Sequence, residues 1–307
     1  MIVAYIDAYK GVFGVEPICR VLKDHDVPIA PSTYYAANSR PPSARQQSDE
    51  RLLKTIRRVF YENYACYGVR KVWQELLAQG VAVGRDQVAR LMRLAGLRGS
   101  IRRRKVRTTI ANPAAARSPD LVKRVWVRDA PDVVWVADFT HVSAREGTVY
   151  TSFLQDGFSR RILGFVVASS KSTELVTRAL EQAIGVRRRS DRFFVSQGVI
   201  HHSDAGSQYT SLAFSRKLLD HGLNGSIGRV GTAYDNALME STIGLYKTEL
   251  IHASGRTWTS RQEVETATTA WVRWFNERRL HSALDYHSPA QYEAAYTQDL
   301  DLPRQAA

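Results

Sequence analysis

Apolar residues recur at helical spacing up to about residue 97, and from residue 125 they gather instead into β-branched and aromatic runs separated by Gly, Ser and Asp. This change of period is the strongest restriction on the fold. Apolar positions at i, i+3, i+4 and i+7 specify a helix with one buried face, whereas short Val- and Ile-rich runs bounded by turn residues specify strands. The chain therefore reads as an all-α front half joined to an α/β back half, and 307 residues suffice for two domains with a sizeable core.

The front half opens with a helical stretch around residues 14–24, entered near Glu16-Pro17. Segment 31–49, "PSTYYAANSRPPSARQQSD", has no clear apolar period and reads as a loop. Leu52, Leu53, Ile56, Val59 and Phe60 then mark a helix. Val69, Val72, Trp73 and Leu76 form a second stripe ending near Gly80, and Val88, Leu91, Met92 and Ala95 a third, stopped by Gly96. The short glycine-bearing connection between the last two is what a helix-turn-helix requires. If the later helix enters a DNA groove, it offers Arg85, Gln87, Arg90 and Arg93.

Charge adds to that reading. The net charge is +13, and all of the excess lies early: residues 1–128 hold 24 Lys/Arg against 10 Asp/Glu, residues 129–307 hold 19 against 20. Arg98, Arg102, Arg103, Arg104, Lys105 and Arg107 fall within ten residues, too dense for internal pairing. A charge run is usually a solvated face, but one beside a helix-turn-helix suits phosphate contacts on double-stranded DNA. Residues 108–124, with two prolines and many small side chains, read as a linker. No apolar run approaches the ~20 residues of a membrane span, so a cytoplasmic protein with no membrane partner is expected. Cys19 and Cys66 lack the spacing of a zinc site or a disulfide framework.

In the back half, "VVWVADFTHV", "TVYTSFLQD" and "RILGFVVAS" read as a three-stranded meander. A helix over about 172–186, capped near Ser172, is followed by the strand "GVIHHS", a helix near "LAFSRKLLDHG", a short strand near "NGSIG", a helix from about Asn236 and a long one over "RQEVETATTAWVRWFNER". The architecture expected is a mixed sheet with flanking helices. Domain limits follow: residues 1–48 a helical segment and linker, 49–107 the helix-turn-helix with its basic arm, 108–124 a linker, 125–295 the α/β core with a C-terminal helix, and 296–307 a tail.

Three acids stand out against this frame. Asp138 lies inside the first strand, Asp204 ends the fourth, and Glu240 sits one turn into the helix that follows Asp235 and Asn236, its expected caps. Each has a bland explanation: Asp138 paired with Arg160 or Arg161, Asp204 a turn residue, Glu240 a surface acid. If the first and fourth strands are neighbours, however, all three can converge at one sheet edge, where like charges need a cation. Oxygen donors without a His/Cys set favour Mg²⁺, with Mn²⁺ as substitute. Asp156, before Gly157, is assigned to turn chemistry, and His201 and His202 lack the further ligands zinc requires.

Asp204 and Glu240 are separated by 35 residues, and Lys247 follows Glu240 by seven. This D, D-35-E arrangement resembles that of integrase-core transposases. "WVADFTHV", "HHSDAGSQYTS", "GSIGRVGTAYDNALMESTIGLYKTEL" and "FNERRLHSALDYHSPAQY" resemble the second-reading-frame product of the insertion-sequence-three family of bacterial transposases, and the likeness covers nearly the whole chain. It implies an RNase H-like core in which Asp138, Asp204 and Glu240 bind metal, two ions in all, and catalyse DNA cleavage and strand transfer. It also implies Lys247 as a contact to terminal DNA, a multimer on two DNA ends, and fusion or association with the other-frame product. One departure is Asp285, where relatives often carry Gly. The alternatives are a nuclease of the same fold and a non-catalytic DNA-binding regulator derived from a transposase.

Overall fold

The computed structural model describes residues 2–101, 119–122, 128–228, 236–253 and 255–305, with side chains described as far as residue 298. The chain divides into two compact units, Met1–Thr55 and Ile56–Ala307.

In the first unit, α1 (Ile2–Phe13), α2 (Val15–Asp24) and α3 (Pro31–Ser39) enclose Ile6, Ile18, Cys19 and Tyr34. Gly14, at φ 75°, makes the turn into α2, so that helix begins at Val15 rather than at Glu16-Pro17. The loop expected over residues 31–49 is largely helical. Pro31 starts α3 with its fixed φ, and Tyr34 joins the core while its hydroxyl donates to Asp7 at 2.8 Å. The next helix, α4 (Ala44–Glu62), begins inside the same segment at a reciprocal cap: Ser43 N–H donates to Gln46 Oε1 at 2.9 Å, and Gln46 N–H donates to Ser43 Oγ at 3.2 Å.

In the second unit, α5 (Val69–Ala78) and α6 (Arg85–Leu94) pack together and bury Val72, Leu76, Val88, Leu91 and Met92, while the end of α4 buries Ile56, Val59 and Phe60. Gly80, at φ 75°, closes α5, and Trp73 Nε1 donates to the Val83 carbonyl at 2.8 Å, pinning the connection. The helix-turn-helix read from the apolar stripes is therefore present.

The sheet runs β3-β2-β1-β4-β5. β1 (Val134–Ala144), β2 (Gly147–Asp156) and β3 (Ile162–Ala168) form the expected antiparallel meander. β4 (Ile200–Ser203) pairs parallel with β1, and β5 (Asn224–Ile227) parallel with β4. Between β3 and β4 runs α7 (Thr173–Ser190), with Ser172 at its N-terminus but no side-chain cap bond there; between β4 and β5 runs α8 (Leu212–Asp220). Strand parity sorts the faces. Trp135, Ala137, Leu154 and Leu163 pack with α7 and α8, while Phe153 meets the aromatic rings of Tyr246 and Trp271 on the opposite face. Gly164 lets α7 approach: a Cβ there would stand 2.0 Å from the Ala179 carbonyl oxygen.

Beyond the sheet come α9 (Ala237–Tyr246), a π-helical turn (Lys247–Ile251), α10 (Arg261–Glu277) and a 3₁₀ turn (Ser282–Leu284). Asp285 has φ 48°, a left-handed conformation that Gly favours and Asp tolerates. The tail expected from residue 296 is instead helical through Gln305, as the continuation of α11 (Pro289–Gln305). Glu293 of that helix bonds Arg161 at 2.7 Å, Arg187 at 2.7 Å and Ser159 at 2.6 Å. Asp156 fills the expected turn role, accepting from Phe158 N at 2.9 Å and Ser159 N at 2.8 Å, and burial pushes its carboxyl up to about 6 against the pull of Arg187. Among the described residues no helix is long and apolar enough to cross a membrane.

Candidate active site

The parallel pairing of β1 with β4 sets the site. Val134, Trp135 and Val136 stand opposite Ile200, His201 and His202. Continuing that register by two residues sets Asp138 opposite Asp204, which stands one residue past the end of β4. By parity Asp138 shares the sheet face of Val134 and Val136, the face on which α9 packs. Asp138 Oδ1 accepts from Phe139 N at 2.7 Å, and Asp204 Oδ1 accepts from Gly206 N at 3.1 Å.

Asn236 brings the third acid. Its Nδ2 donates to the Ala137 carbonyl at 3.0 Å, tying the start of α9 to β1 one residue from Asp138, and Glu240 N–H donates back to the Asn236 carbonyl at 3.0 Å. Asn236 thus works as a tether and makes no side-chain cap, contrary to expectation, and Asp235 lies outside the described residues. The signal for the tether was present in the sequence as a polar residue ahead of an otherwise apolar helix, where capping was the simpler inference.

The electrostatics follow from these positions. Burial raises the Asp204 carboxyl above its ordinary range; the Gly206 N–H draws it down, Glu240 pushes it further up, and His202 opposes that push. The buried Tyr209 hydroxyl is held well above its ordinary value by burial, then by the negative charges of Asp138 and Asp204. All three acids therefore act on one neighbourhood. Among the described residues no three carboxylate, imidazole or thiol groups lie close enough to form a ready metal cage. In kind, the donors suit a hard divalent ion, three carboxylates with no thiolate.

Arg161 pairs with Glu293 at 2.7 Å. His202 Nδ1 shares a 2.8 Å hydrogen bond with Ser226 Oγ, and His201 packs against Tyr209 and Phe214. Lys247 opens the π-helical turn and donates through Nζ to the His141 carbonyl on β1, three residues beyond Asp138; burial lowers its pKa.

On α6, Arg85 and Arg93 are exposed, while Gln87 and Arg90 are half-buried. Arg85 pairs with the neighbouring Asp86 at 3.0 Å, and both side chains stay exposed. Arg102, Arg103, Arg104, Lys105 and Arg107 lie outside the described residues.

An HTH-like domain family matches residues 47–105, and an integrase core domain family matches residues 128–233, with a second integrase core profile over 221–289. The transposase for insertion sequence element IS629 of Shigella sonnei is 47% identical over 95% of this chain and 95% of its own length. A putative transposase for insertion sequence element IS986/IS6110 of Mycobacterium tuberculosis is 49% identical over 88% of this chain and 96% of its own. The HTLV-2 integrase catalytic core domain in complex with magnesium is 15% identical, spans 54% of this chain and 98% of its own, and gives a TM-score of 0.42.

Proposed function

Since the chain belongs to the insertion-sequence-three family of transposases, with a helix-turn-helix domain and an integrase core, we propose that Asp138, Asp204 and Glu240 are its catalytic acids, acting in metal-dependent phosphodiester exchange at the ends of an insertion sequence. What supports this reading is the β1–β4 register, which carried two residues further sets Asp138 opposite Asp204, together with the Asn236 bond that ties the helix of Glu240 to β1 beside Asp138.

The three carboxylates would hold Mg²⁺, or Mn²⁺ in its place. Two such ions supply activation of the attacking oxygen and stabilisation of the leaving one. The chain's own part is to place negative oxygen donors on β1 and just past the end of β4, in the middle of the sheet, and to carry the third on a helix tethered beside the first. Lys247, next to β1, is positioned to meet a DNA phosphate once it leaves the His141 carbonyl. Gln87, Arg90 and Arg93 of α6, Arg85 once released from Asp86, and the basic residues 102–107 bind double-stranded DNA.

Two displacements at phosphorus account for the reaction. A water oxygen replaces the bridging 3′ oxygen at the element end, releasing a DNA 3′-hydroxyl. That hydroxyl then attacks a target phosphodiester, forming one P–O bond as another breaks. No protein nucleophile enters either step. Active assemblies are multimers that bring two element ends together, with the other-frame product fused or associated.

The test is incubation of the chain, alone and fused to the other-frame product, with labelled duplexes carrying the element ends and Mg²⁺. Nicking followed by joining is expected. Nicking without joining identifies a nuclease, and DNA binding without either identifies a regulator.

A further inference from the structure

The motif "FNERRLHSAL" contributes nothing to the site just described, yet it supplies one partner of a deeply buried ion pair. Arg279 and Glu249 are each 4% exposed. Arg279 Nε reaches both Glu249 oxygens, at 3.1 and 3.0 Å, and Nη2 reaches Oε1 at 2.5 Å. The guanidinium also lies over the Trp274 and Phe275 rings, and the neighbouring Leu280 N–H donates to Tyr67 Oη at 2.8 Å.

Glu249 sits in the π-helical turn, two residues after Lys247. The His252 N–H reaches back five residues to the Lys247 carbonyl at 2.8 Å. A turn of this kind inserts one residue into α spacing and rotates everything after it by ~100°. Such turns are rare because they give up regular α packing, so a fixed contact is needed to hold one. A buried ion pair adds little net stability over an apolar pair of equal size, but a bidentate fork adds direction. Here the direction is passed to the turn whose first residue reaches β1.

We propose that Glu249 and Arg279 are positioning residues: their buried pair locks the π-helical turn so that Lys247 stays at the edge of β1 and Glu240, two helical turns earlier, stays beside Asp204. Neither touches substrate. The catalytic part of this inference rests on the function proposed above, whereas the mechanical hold does not.

The test uses the full chain and two variants, Glu249→Gln and the double replacement Glu249→Met with Arg279→Met, the second keeping the buried volume without an unpaired charge. Hydrogen exchange read by mass spectrometry is expected to quicken about tenfold or more over residues 240–252 in the double variant, with β1–β3 unchanged. Strand joining of a pre-cleaved element end should lose about tenfold or more in kcat, with KM within about twofold of the unaltered chain. Should Glu249→Gln fail to fold, the double variant decides. Exchange that quickens uniformly along the chain, exchange that does not change, or an unaltered kcat each overturns the positioning role. Local quickening in a protein whose unaltered form joins no DNA overturns the functional reading alone and supports the mechanical hold.

Discussion

Val136 pairs with His202 across the parallel β1–β4 ladder, and the same register carried two residues further, just past the end of β4, sets Asp138 opposite Asp204. A slip of one residue would send one of the two acids to the opposite sheet face, because side chains alternate. The spacing of the acids along the chain acquires chemical meaning only through this register.

Replacement of Asp138 or Asp204 by Asn, or of Glu240 by Gln, is expected to lower nicking and joining by about a hundredfold or more while element-end binding persists. A gel-shift titration run beside the cleavage assay separates the two effects. Chelation of divalent ions should reproduce the catalytic loss in the unaltered chain.

Asn236→Ala removes the bond to the Ala137 carbonyl. The expected costs are about 1–2 kcal/mol of stability and a further loss of joining, because Glu240 is no longer held beside β1. Denaturant unfolding gives the first quantity and single-turnover joining the second.

Gly164→Ala places a methyl group against the Ala179 carbonyl oxygen in the contact between β3 and α7. Overpacking of this kind should lower stability by about 1–3 kcal/mol or shift the helix along the sheet. A lower denaturation midpoint with an unchanged denaturant slope is the expected result.

Acid stability should depend on His201. Burial, and then the neighbouring His202, lower its pKa from 6.5 to about 3. The folded chain therefore holds fewer protons at this site than the unfolded chain between those values, so its contribution to stability is complete above pH 6.5 and is lost as pH falls toward 3. His201→Leu should flatten that loss by up to about 1.4 kcal/mol per pH unit, measured by unfolding at a series of pH values.

Arg93 is exposed on α6 and is expected to meet a phosphate. Arg93→Ala should weaken DNA binding similarly across sequences and make the plot of log affinity against log salt shallower by about one unit. A change confined to one base position would mark it instead as a base-reading residue.

The amino-acid sequence by itself determined the change from helical to strand period, the helix-turn-helix and the meander, and it singled out the three acids proposed as catalytic, because these rest on local spacing and on charges out of place in apolar runs. It misread residues 31–49, where few apolar residues mark the period and the helices are set instead by Pro31, Tyr34 and the Ser43–Gln46 cap. Tertiary structure alone decided that β1 neighbours β4, that Asn236 ties α9 to β1, and that Glu249 meets Arg279 across thirty residues of chain. Each of those is a contact between distant segments, chosen by the packing of whole faces and by the need to pair buried polar groups, and no local window of residues contains that information.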